Sequence, residues 1–269
     1  MYRIIACDLD ETLLNCEKKV SAENIEAIAK AVEKGVKFVL ATGRGYRTVQ
    51  GTLQEIGLLE AKGEYVISFN GGAITENKGN NLMFFKAMDF AKADALYKKG
   101  ISYGCCIHVY TKDTVYAWNL NESEKRFLNN RMPIVETDST DLSFLSGQEI
   151  VKVLYMNEDR AFLNRIESEM KEMTQDLDVS YSSNRYIEFN KKGVNKGAGL
   201  KKLASLLNIP MEDTIAIGDN YNDLSMIKAA GLGIGVQNTV EAMKKECDYI
   251  TSATHDQSAI AEVIEKFIL

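Results

Sequence analysis

Short apolar runs alternate with amphipathic stretches in the N-terminal part of the chain. Residues 2–7, 36–41 and 65–69 are largely apolar and have the length of buried strands. Between the first two runs, apolar residues follow Ser21 at helical spacing, and Gly35 ends the pattern. Apolar strands separated by amphipathic helices need cover on both faces. The pattern therefore predicts a parallel sheet with helices on either side.

The same alternation returns near the C-terminus. A helical pattern over 200–207 precedes two strand-like runs at 214–217 and 232–236, and an amphipathic stretch closes the chain at 259–268. Because both ends carry the same signature, we expect them to form one α/β core together.

The middle of the chain has a different texture. A turn around Gly79 separates apolar runs at 73–75 and 82–85, which predicts an antiparallel hairpin. Further along, the pattern predicts a second hairpin, two more strands and a helix, at 107–111 with 114–118, at 151–155 and 186–189, and at 159–173. We therefore expect an inserted α+β domain over residues 82–187 and a core formed by 1–81 and 188–269.

Charge and cysteine content narrow the function classes. The chain has 269 residues, and its 32 Lys and Arg against 38 Asp and Glu give a net charge of −6, which argues against nucleic-acid and anionic-membrane partners. Neither a signal peptide nor a membrane-spanning run is visible. The five cysteines include no CxxC pair, so neither a disulfide framework nor a zinc site is expected. A cytoplasmic protein fits best, and its oligomeric state stays open.

Two carboxylates follow the first predicted strand. Asp8 ends the apolar run, and Asp10 lies two residues on, before Thr12. Ligands of an open parallel sheet bind at the carboxyl ends of its strands. Carboxylates this close repel each other unless a cation lies between them or one is protonated. The pair indicates a hard divalent cation and a carboxylate able to act as nucleophile, with a solvated acidic turn as the alternative.

Polar turns also follow the next two strands. At Thr42 and Gly43, a hydroxyl, a backbone amide and the N-terminus of a following helix would together make an anion site, although in isolation a plain turn is the better interpretation of these residues. The third strand leads to Asn70, Gly71 and Gly72, which form either another ligand-facing turn or a hinge into the inserted domain, and we favour the hinge.

The C-terminal half contains the most specific pattern. Asp219 follows Gly218 at the end of a predicted strand, and Asn222 and Asp223 come three and four residues later. These groups are predicted to reach the same edge as Asp8, and a capped helix start is a compatible interpretation. Lys196, at the start of another helix, is a candidate for neutralising phosphate, although most lysines are solvated.

Together these residues resemble a known family. Four short motifs are similar, in chain order, to the four motifs of haloacid-dehalogenase-like (HAD) phosphohydrolases. They are Asp8-x-Asp10-x-Thr12, Thr42-Gly43-Arg44, Lys196-Gly197 and Gly218-Asp219-x-x-Asn222-Asp223. The insert resembles the type IIB cap of Cof-type phosphatases. The resemblance covers essentially the whole chain and implies a doubly wound, Rossmann-like α/β core with an inserted α+β cap. Glu11 departs from the family's usual glycine, which affects the expected shape of the entrance.

The resemblance also implies a function and roles for residues. It implies a Mg²⁺-dependent phosphatase of small phosphorylated metabolites, such as sugar phosphates or phosphorylated cofactors, with the cap selecting the leaving group. Asp8 would form an aspartyl-phosphate and Asp10 would act as general acid and base. The other implied roles are Mg²⁺ binding by Asp8, the carbonyl of Asp10 and Asp219, phosphate binding by the Leu9 amide, Thr42, Gly43, Lys196 and Asn222, and orientation of Lys196 or a metal-bound water by Asp223.

Two other functions remain open from the sequence. A hexose phosphomutase would return the phosphoryl group to the sugar, and a non-catalytic sensor would bind a phosphometabolite without turnover. His108 and His255 lie outside every motif, so we expect both to be structural. Cys105 and Cys106 are expected to pack in the inserted domain.

Overall fold

The computed structural model describes residues 1–128 and 132–269. Its strands are β1 Ile4–Cys7, β2 Lys37–Ala41, β3 Tyr65–Ser68, β4 Ala73–Glu76, β5 Asn81–Phe85, β6 Cys106–Thr111, β7 Val115–Trp118, β8 Ile134–Glu136, β9 Ile150–Met156, β10 Leu177–Ser182, β11 Tyr186–Lys191, β12 Thr214–Gly218, β13 Leu232–Gly235 and β14 Tyr249–Ile250. Its α-helices are α1 Ala22–Glu33, α2 Gln50–Glu55, α3 Phe90–Ser102, α4 Glu122–Leu128, α5 Arg160–Glu169, α6 Lys196–Leu206, α7 Leu224–Ala229, α8 Glu241–Lys244 and α9 Ala259–Phe267.

These elements form two compact units. The first consists of Met1–Phe85 with Asn195–Leu269, and the second of Lys86–Val194. The first unit contains a sheet in the order β14-β13-β12-β1-β2-β3-β4-β5. Its strands from β14 to β3 are parallel, and β4 and β5 extend it as antiparallel edge strands. The parallel sheet predicted from the two ends of the chain is confirmed.

Helices cover both faces of this sheet because alternate strand residues point to opposite sides. Ile5 and Cys7 of β1 belong to a core cluster shared with α1 and α9, whereas Ile4 and Ala6 belong to a second cluster with α6. Ser21 accepts a hydrogen bond from the Asn24 amide and begins α1 as an N-cap. The result is the doubly wound α/β arrangement expected from the sequence.

The second unit is an α+β domain built on a sheet in the order β10-β11-β9-β6-β7-β8. Apolar residues of one face pack with α3 and α5. The other face carries buried polar groups, including a Lys152–Glu188 ion pair of 2.5 Å. His108 is fully buried there, and burial lowers the pKa of its imidazole to about 3. Cys105 and Cys106 are also buried, as packing residues are expected to be.

The unit boundaries lie a few residues beyond the expected positions 82 and 187. Residues 82–85 are part of β5, which pairs with β4 and so belongs to the first unit. Residues 188–191 are part of β11, which pairs with β9 and β10 in the second unit. A sequence pattern shows that a strand exists, whereas its partners decide which sheet it joins.

The interpretation of Asn70, Gly71 and Gly72 as a hinge is wrong. These residues form the turn between β3 and β4, and the antiparallel pairing of those strands keeps the turn inside the first unit. Within residues 1–128 and 132–269, no helix combines the length and the apolar character that crossing a bilayer requires.

Candidate active site

Three neighbouring strands bring the predicted site residues to one edge of the first unit. Asp8 follows β1, Thr42 follows β2 and Asp219 follows β12. In the parallel register, Cys7 of β1 lies opposite Ile217 of β12 and Leu40 of β2, so the carboxyl ends are adjacent. Residues far apart in the sequence therefore meet at the edge where parallel sheets bind ligands.

Three of the carboxylates form a close buried group. Asp8, Asp219 and Asp223 each place an oxygen within 4.8 Å of the others, and all three side chains are buried. The Thr12 hydroxyl donates to Asp219 Oδ1 over 2.9 Å. The amides of Asp219 and Asn220 both donate to Asp223 Oδ2 over 3.1 Å, which explains how this turn orients its own carboxylates.

Lys196 brings a positive charge into this group. It is the first residue of α6, its side chain is fully buried, and its ammonium donates to Asp8 Oδ1 and, over 2.5 Å, to Asp223 Oδ1. Gly197 allows this placement, because a Cβ there would lie 2.2 Å from the carbonyl oxygen of Ser225. The close contact between α6 and α7 therefore fixes the position of Lys196.

Burial and the close spacing of the carboxylates shift the pKa values of this group. Burial raises the pKa of Asp8, with a further contribution from the charge of Asp223 and an opposing one from Lys196. Burial and the charges of Asp223 and Asp8 likewise raise the pKa of Asp219. Burial lowers the pKa of Lys196, but the two carboxylates more than offset this and leave it above its usual value.

The donor set fits a hard divalent cation. Full ionisation of Asp8, Asp219 and Asp223 around the one ammonium of Lys196 would leave two net negative charges in this group, and the raised pKa values of Asp8 and Asp219 reflect that excess together with burial. Carboxylate oxygens are the ligands that Mg²⁺ prefers, and a divalent cation offsets the repulsion that raises these pKa values. The group can therefore hold a metal ion.

The side chain of Asp10 lies in a different ion pair. Arg44 donates to both of its oxygens, from Nε over 2.9 Å and from Nη2 over 2.6 Å, and Lys18 Nζ lies 3.5 Å from Oδ1. The sequence placed Arg44 in a motif without a role, because a bidentate partner cannot be identified from residues 34 positions apart.

The expected anion site at Thr42 lacks the helix N-terminus predicted for it. The following helix, α2, begins only at Gln50, and turns occupy the residues between. Instead, the Thr42 hydroxyl accepts from the Arg44 amide over 3.1 Å, and the Thr42 carbonyl accepts from the Asn70 amide over 2.9 Å. The Asn70 amide oxygen lies 3.1 Å from the position of a Cβ on Gly43. Asn70 is thus beside the candidate phosphate site.

The remaining predicted residues lie on the connecting turns. Leu9 is fully buried, and its carbonyl accepts from the amides of Leu13 and Leu14 over 3.1 and 2.9 Å. Asn222 is half-buried on the turn that joins Asp219 to Asp223. Sequence reasoning gave Thr12 no role of its own and interpreted Asn70 as part of a hinge. The signal that could have identified both is their position shortly after a strand end.

Comparisons with known proteins identify the family. Residues 5–264 match the sequence profile of the haloacid dehalogenase-like hydrolases. A putative phosphatase of Streptococcus pyogenes is 30% identical, with 99% of this chain and 98% of that protein aligned. A 5-amino-6-(5-phospho-D-ribitylamino)uracil phosphatase of Bacillus subtilis is also 30% identical, covering 99% of this chain and 96% of that protein.

A solved structure shares the whole fold. A haloacid dehalogenase-like hydrolase from Bacteroides thetaiotaomicron superimposes with a TM-score of 0.84 at 31% identity, covering 100% of both chains. The motifs, the sheet edge that gathers them and the extent of these matches lead to one conclusion. The chain belongs to the haloacid dehalogenase-like hydrolases.

Proposed function

We propose that the chain is a Mg²⁺-dependent phosphatase of small phosphorylated metabolites, acting through an aspartyl-phosphate on Asp8. The observation that carries the proposal is the buried contact between Asp8, Lys196 and the carboxylates of Asp219 and Asp223. A carboxylate nucleophile attacking an anionic phosphate needs positive charge beside it, and this group supplies a fixed cation and oxygen ligands for another.

The first step transfers the phosphoryl group to the enzyme. An Asp8 oxygen forms a bond to phosphorus while the bond between phosphorus and the leaving oxygen breaks, and Asp10 donates a proton to that oxygen. Asp10 must release at least one contact with Arg44 to carry this proton, since a guanidinium stabilises the ionised carboxylate.

The second step hydrolyses the intermediate. Asp10, now ionised, takes a proton from water as the water oxygen attacks phosphorus, and the bond to Asp8 breaks to release inorganic phosphate. Lys196, the Thr42 hydroxyl and the amides of Leu9 and Gly43 bind the phosphoryl oxygens together with Asn222. Asp223 keeps Lys196 in position through the 2.5 Å contact.

Asp8, the backbone carbonyl of Asp10 and Asp219 would hold Mg²⁺. The ion supplies charge neutralisation between the carboxylate nucleophile and the phosphate oxygens. Asp223, which belongs to the same carboxylate group, would orient Lys196 or a metal-bound water molecule.

Residues 86–194 are proposed to select the leaving group, as the cap implied by the sequence. The B. subtilis relative is named for a phosphorylated ribitylamino-uracil, which supports a small phosphorylated metabolite as the substrate class here.

The test is a screen of sugar phosphates, nucleotides and phosphorylated cofactors, with Mg²⁺ and with excess chelator. We expect Mg²⁺-dependent release of inorganic phosphate from at least one compound. An isomerised sugar phosphate without free phosphate would identify a phosphomutase instead. Saturable binding without any product would identify a sensor, and undiminished hydrolysis in chelator would contradict the role of the metal.

A further inference from the structure

A second group of metal-ligating side chains lies in the first unit, outside the carboxylate group. Cys16 follows β1 in the loop after Asp10, and His255 and Asp256 precede α9. One ligand atom from each of the three lies within 4.8 Å of the other two. We propose that Cys16, His255 and Asp256 form a binding site for Zn²⁺ or a cation of similar softness.

The distances match those of a tetrahedral site. Cys16 Sγ lies 3.5 Å from His255 Nε2, and Nε2 lies 3.6 Å from Asp256 Oδ2. Zinc bonds of about 2.3 Å to sulfur and about 2.0 Å to nitrogen and oxygen, at tetrahedral angles, separate these atom pairs by about 3.5 and 3.3 Å. The atoms are thus already spaced as ligands of one ion.

The distance between Cys16 Sγ and Asp256 Oδ2 is shorter than in a metal site because a thiol proton lies between these two atoms. The Cys16 thiol donates to Asp256 Oδ2 over 3.0 Å, and this hydrogen bond raises the pKa of the thiol. When M²⁺ binds, the sulfur–metal bond forms, the S–H bond breaks and the proton goes to solvent. The distance from Sγ to Oδ2 then has to lengthen by only about 0.5 Å to reach tetrahedral spacing.

Hydrogen bonds hold the Asp256 carboxylate and the two segments that carry the ligands in place. The Cys16 amide donates to the other carboxylate oxygen of Asp256 over 2.7 Å, and the His255 amide donates to Asn238 Oδ1 over 3.0 Å. The Asn238 side chain also donates to the carbonyl of Glu11 over 2.8 Å, which ties the loop containing Cys16 to this segment. These hydrogen bonds orient the Asp256 carboxylate and fix the backbone that carries Cys16 and His255, whereas His255 Nδ1 is buried without a hydrogen-bond partner among the described residues.

The ligand types separate this site from the carboxylate group. A thiolate and an imidazole favour Zn²⁺ or Co²⁺ over Mg²⁺, whereas three carboxylates favour the hard ion. Cys16 and Asp256 are exposed, so a cation has access from solvent and the fourth ligand is water or an external molecule.

The first experiment is a Co²⁺ titration of the metal-stripped, reduced full-length chain. We expect thiolate-to-Co²⁺ charge-transfer absorption, which carboxylates alone do not give, and its loss when Zn²⁺ is added in competition. Cys16→Ser should abolish the band, His255→Gln should weaken binding at least about tenfold, and Cys247→Ser, the matched control, should retain it. A wild-type chain without the band, or an equal band in Cys16→Ser, overturns the proposal.

A second experiment uses only the wild-type chain, so it does not depend on how the variants fold. Alkylation of native protein followed by peptide mapping reports the accessibility of Cys16 and Cys247 separately. Zn²⁺ should protect Cys16 and leave Cys247 unchanged, and Mg²⁺ should protect neither. Equal labelling of Cys16 with and without Zn²⁺ contradicts the site.

Discussion

At the scale of single residues, the cluster of three buried aspartates lowers the stability of the fold in a way that metal binding or catalysis would explain. Asp8, Asp219 and Asp223 are buried beside one another, and burial raises the pKa of the first two. A carboxylate that stays in contact with water avoids the free energy of desolvation that a buried carboxylate requires. A buried like-charge group of this kind is typical of catalytic and metal-binding sites, where the strain serves the reaction.

The nucleophile gives the sharpest residue-scale prediction. Asp8→Asn keeps the shape of the side chain but removes the carboxylate that would bond to phosphorus, so phosphate release should fall by at least about 1000-fold. Steady-state rates on the best substrate of the screen measure this. Circular dichroism should show an unchanged fold.

Asp213→Asn is the matched control. This aspartate is also in the first unit, and its carboxylate lies near the N-terminus, 3.8 Å from the Met1 amine. The activity of this variant should remain within about twofold of wild type, because a 3.8 Å ion pair with an exposed N-terminal amine contributes little. Retention of more than a few per cent of the rate by Asp8→Asn would contradict the covalent mechanism.

At the scale of elements, the contact between α6 and α7 determines where Lys196 lies. A Cβ on Gly197 would meet backbone atoms of Ser225 at 2.2 Å, and backbone cannot move aside as a flexible side chain can. Gly197→Ala should therefore push α6 outward, displace Lys196 from Asp8, lower stability by about 1–3 kcal/mol and reduce activity at least tenfold.

The chain provides a matched helical control in Gly51. It lies in α2, and nothing is within 4 Å of the position of its Cβ. Gly51→Ala should keep full activity and stabilise the fold by about 0.5–1 kcal/mol, because alanine loses less backbone entropy in a helix. Urea unfolding and phosphate release compare the two variants. Equal effects of the two substitutions on stability and activity would show that the contact between α6 and α7 does not fix the position of Lys196.

At the scale of the whole molecule, the raised pKa values link stability to pH and metal. A carboxyl group whose pKa is higher in the folded than in the unfolded state binds more protons when folded, so stability falls as pH rises above the ordinary value of 3.8. In excess chelator, the melting temperature should therefore include a component that decreases between pH 5 and pH 8.

Mg²⁺ should reverse this component. The ion must displace the protons that the raised pKa values retain on Asp8 and Asp219, so its stabilising effect should be small at pH 5 and grow towards pH 8. Differential scanning calorimetry with and without Mg²⁺ measures the difference. Asp219→Asn should remove most of the Mg²⁺ effect, and an equal Mg²⁺ effect at every pH would contradict metal binding by these carboxylates.

The division into two units leads to the last prediction. If residues 86–194 select the leaving group, single substitutions there should change the preferred substrate more than the attack on phosphorus. Lys112→Ala, Phe144→Ala and similar substitutions of partly or fully exposed side chains in this unit should include at least one that loses about tenfold on a bulky natural phosphate and little on a small activated ester. Equal losses on both substrates for every variant would contradict this division of roles.

The sequence by itself determined much of the core and the order of the site motifs. Apolar runs of strand length, with helical periodicity between them, can be buried in few ways other than a doubly wound sheet. The residue after each strand is then placed at the carboxyl edge by geometry alone, which is why Asp8, Thr42 and Asp219 were found without a structure.

Only the tertiary structure decided which of these side chains meet. Some contacts depend on the distances between turns, and hydrophobic periodicity contains no information about those distances. Examples are the pairing of Asp10 with Arg44, the contact of Thr12 with Asp219 and the position of Asn70. The same is true of Cys16 and His255, which are 239 positions apart and lack any motif spacing. Periodicity reports which face of an element is buried, whereas a site is made where the ends of several elements converge.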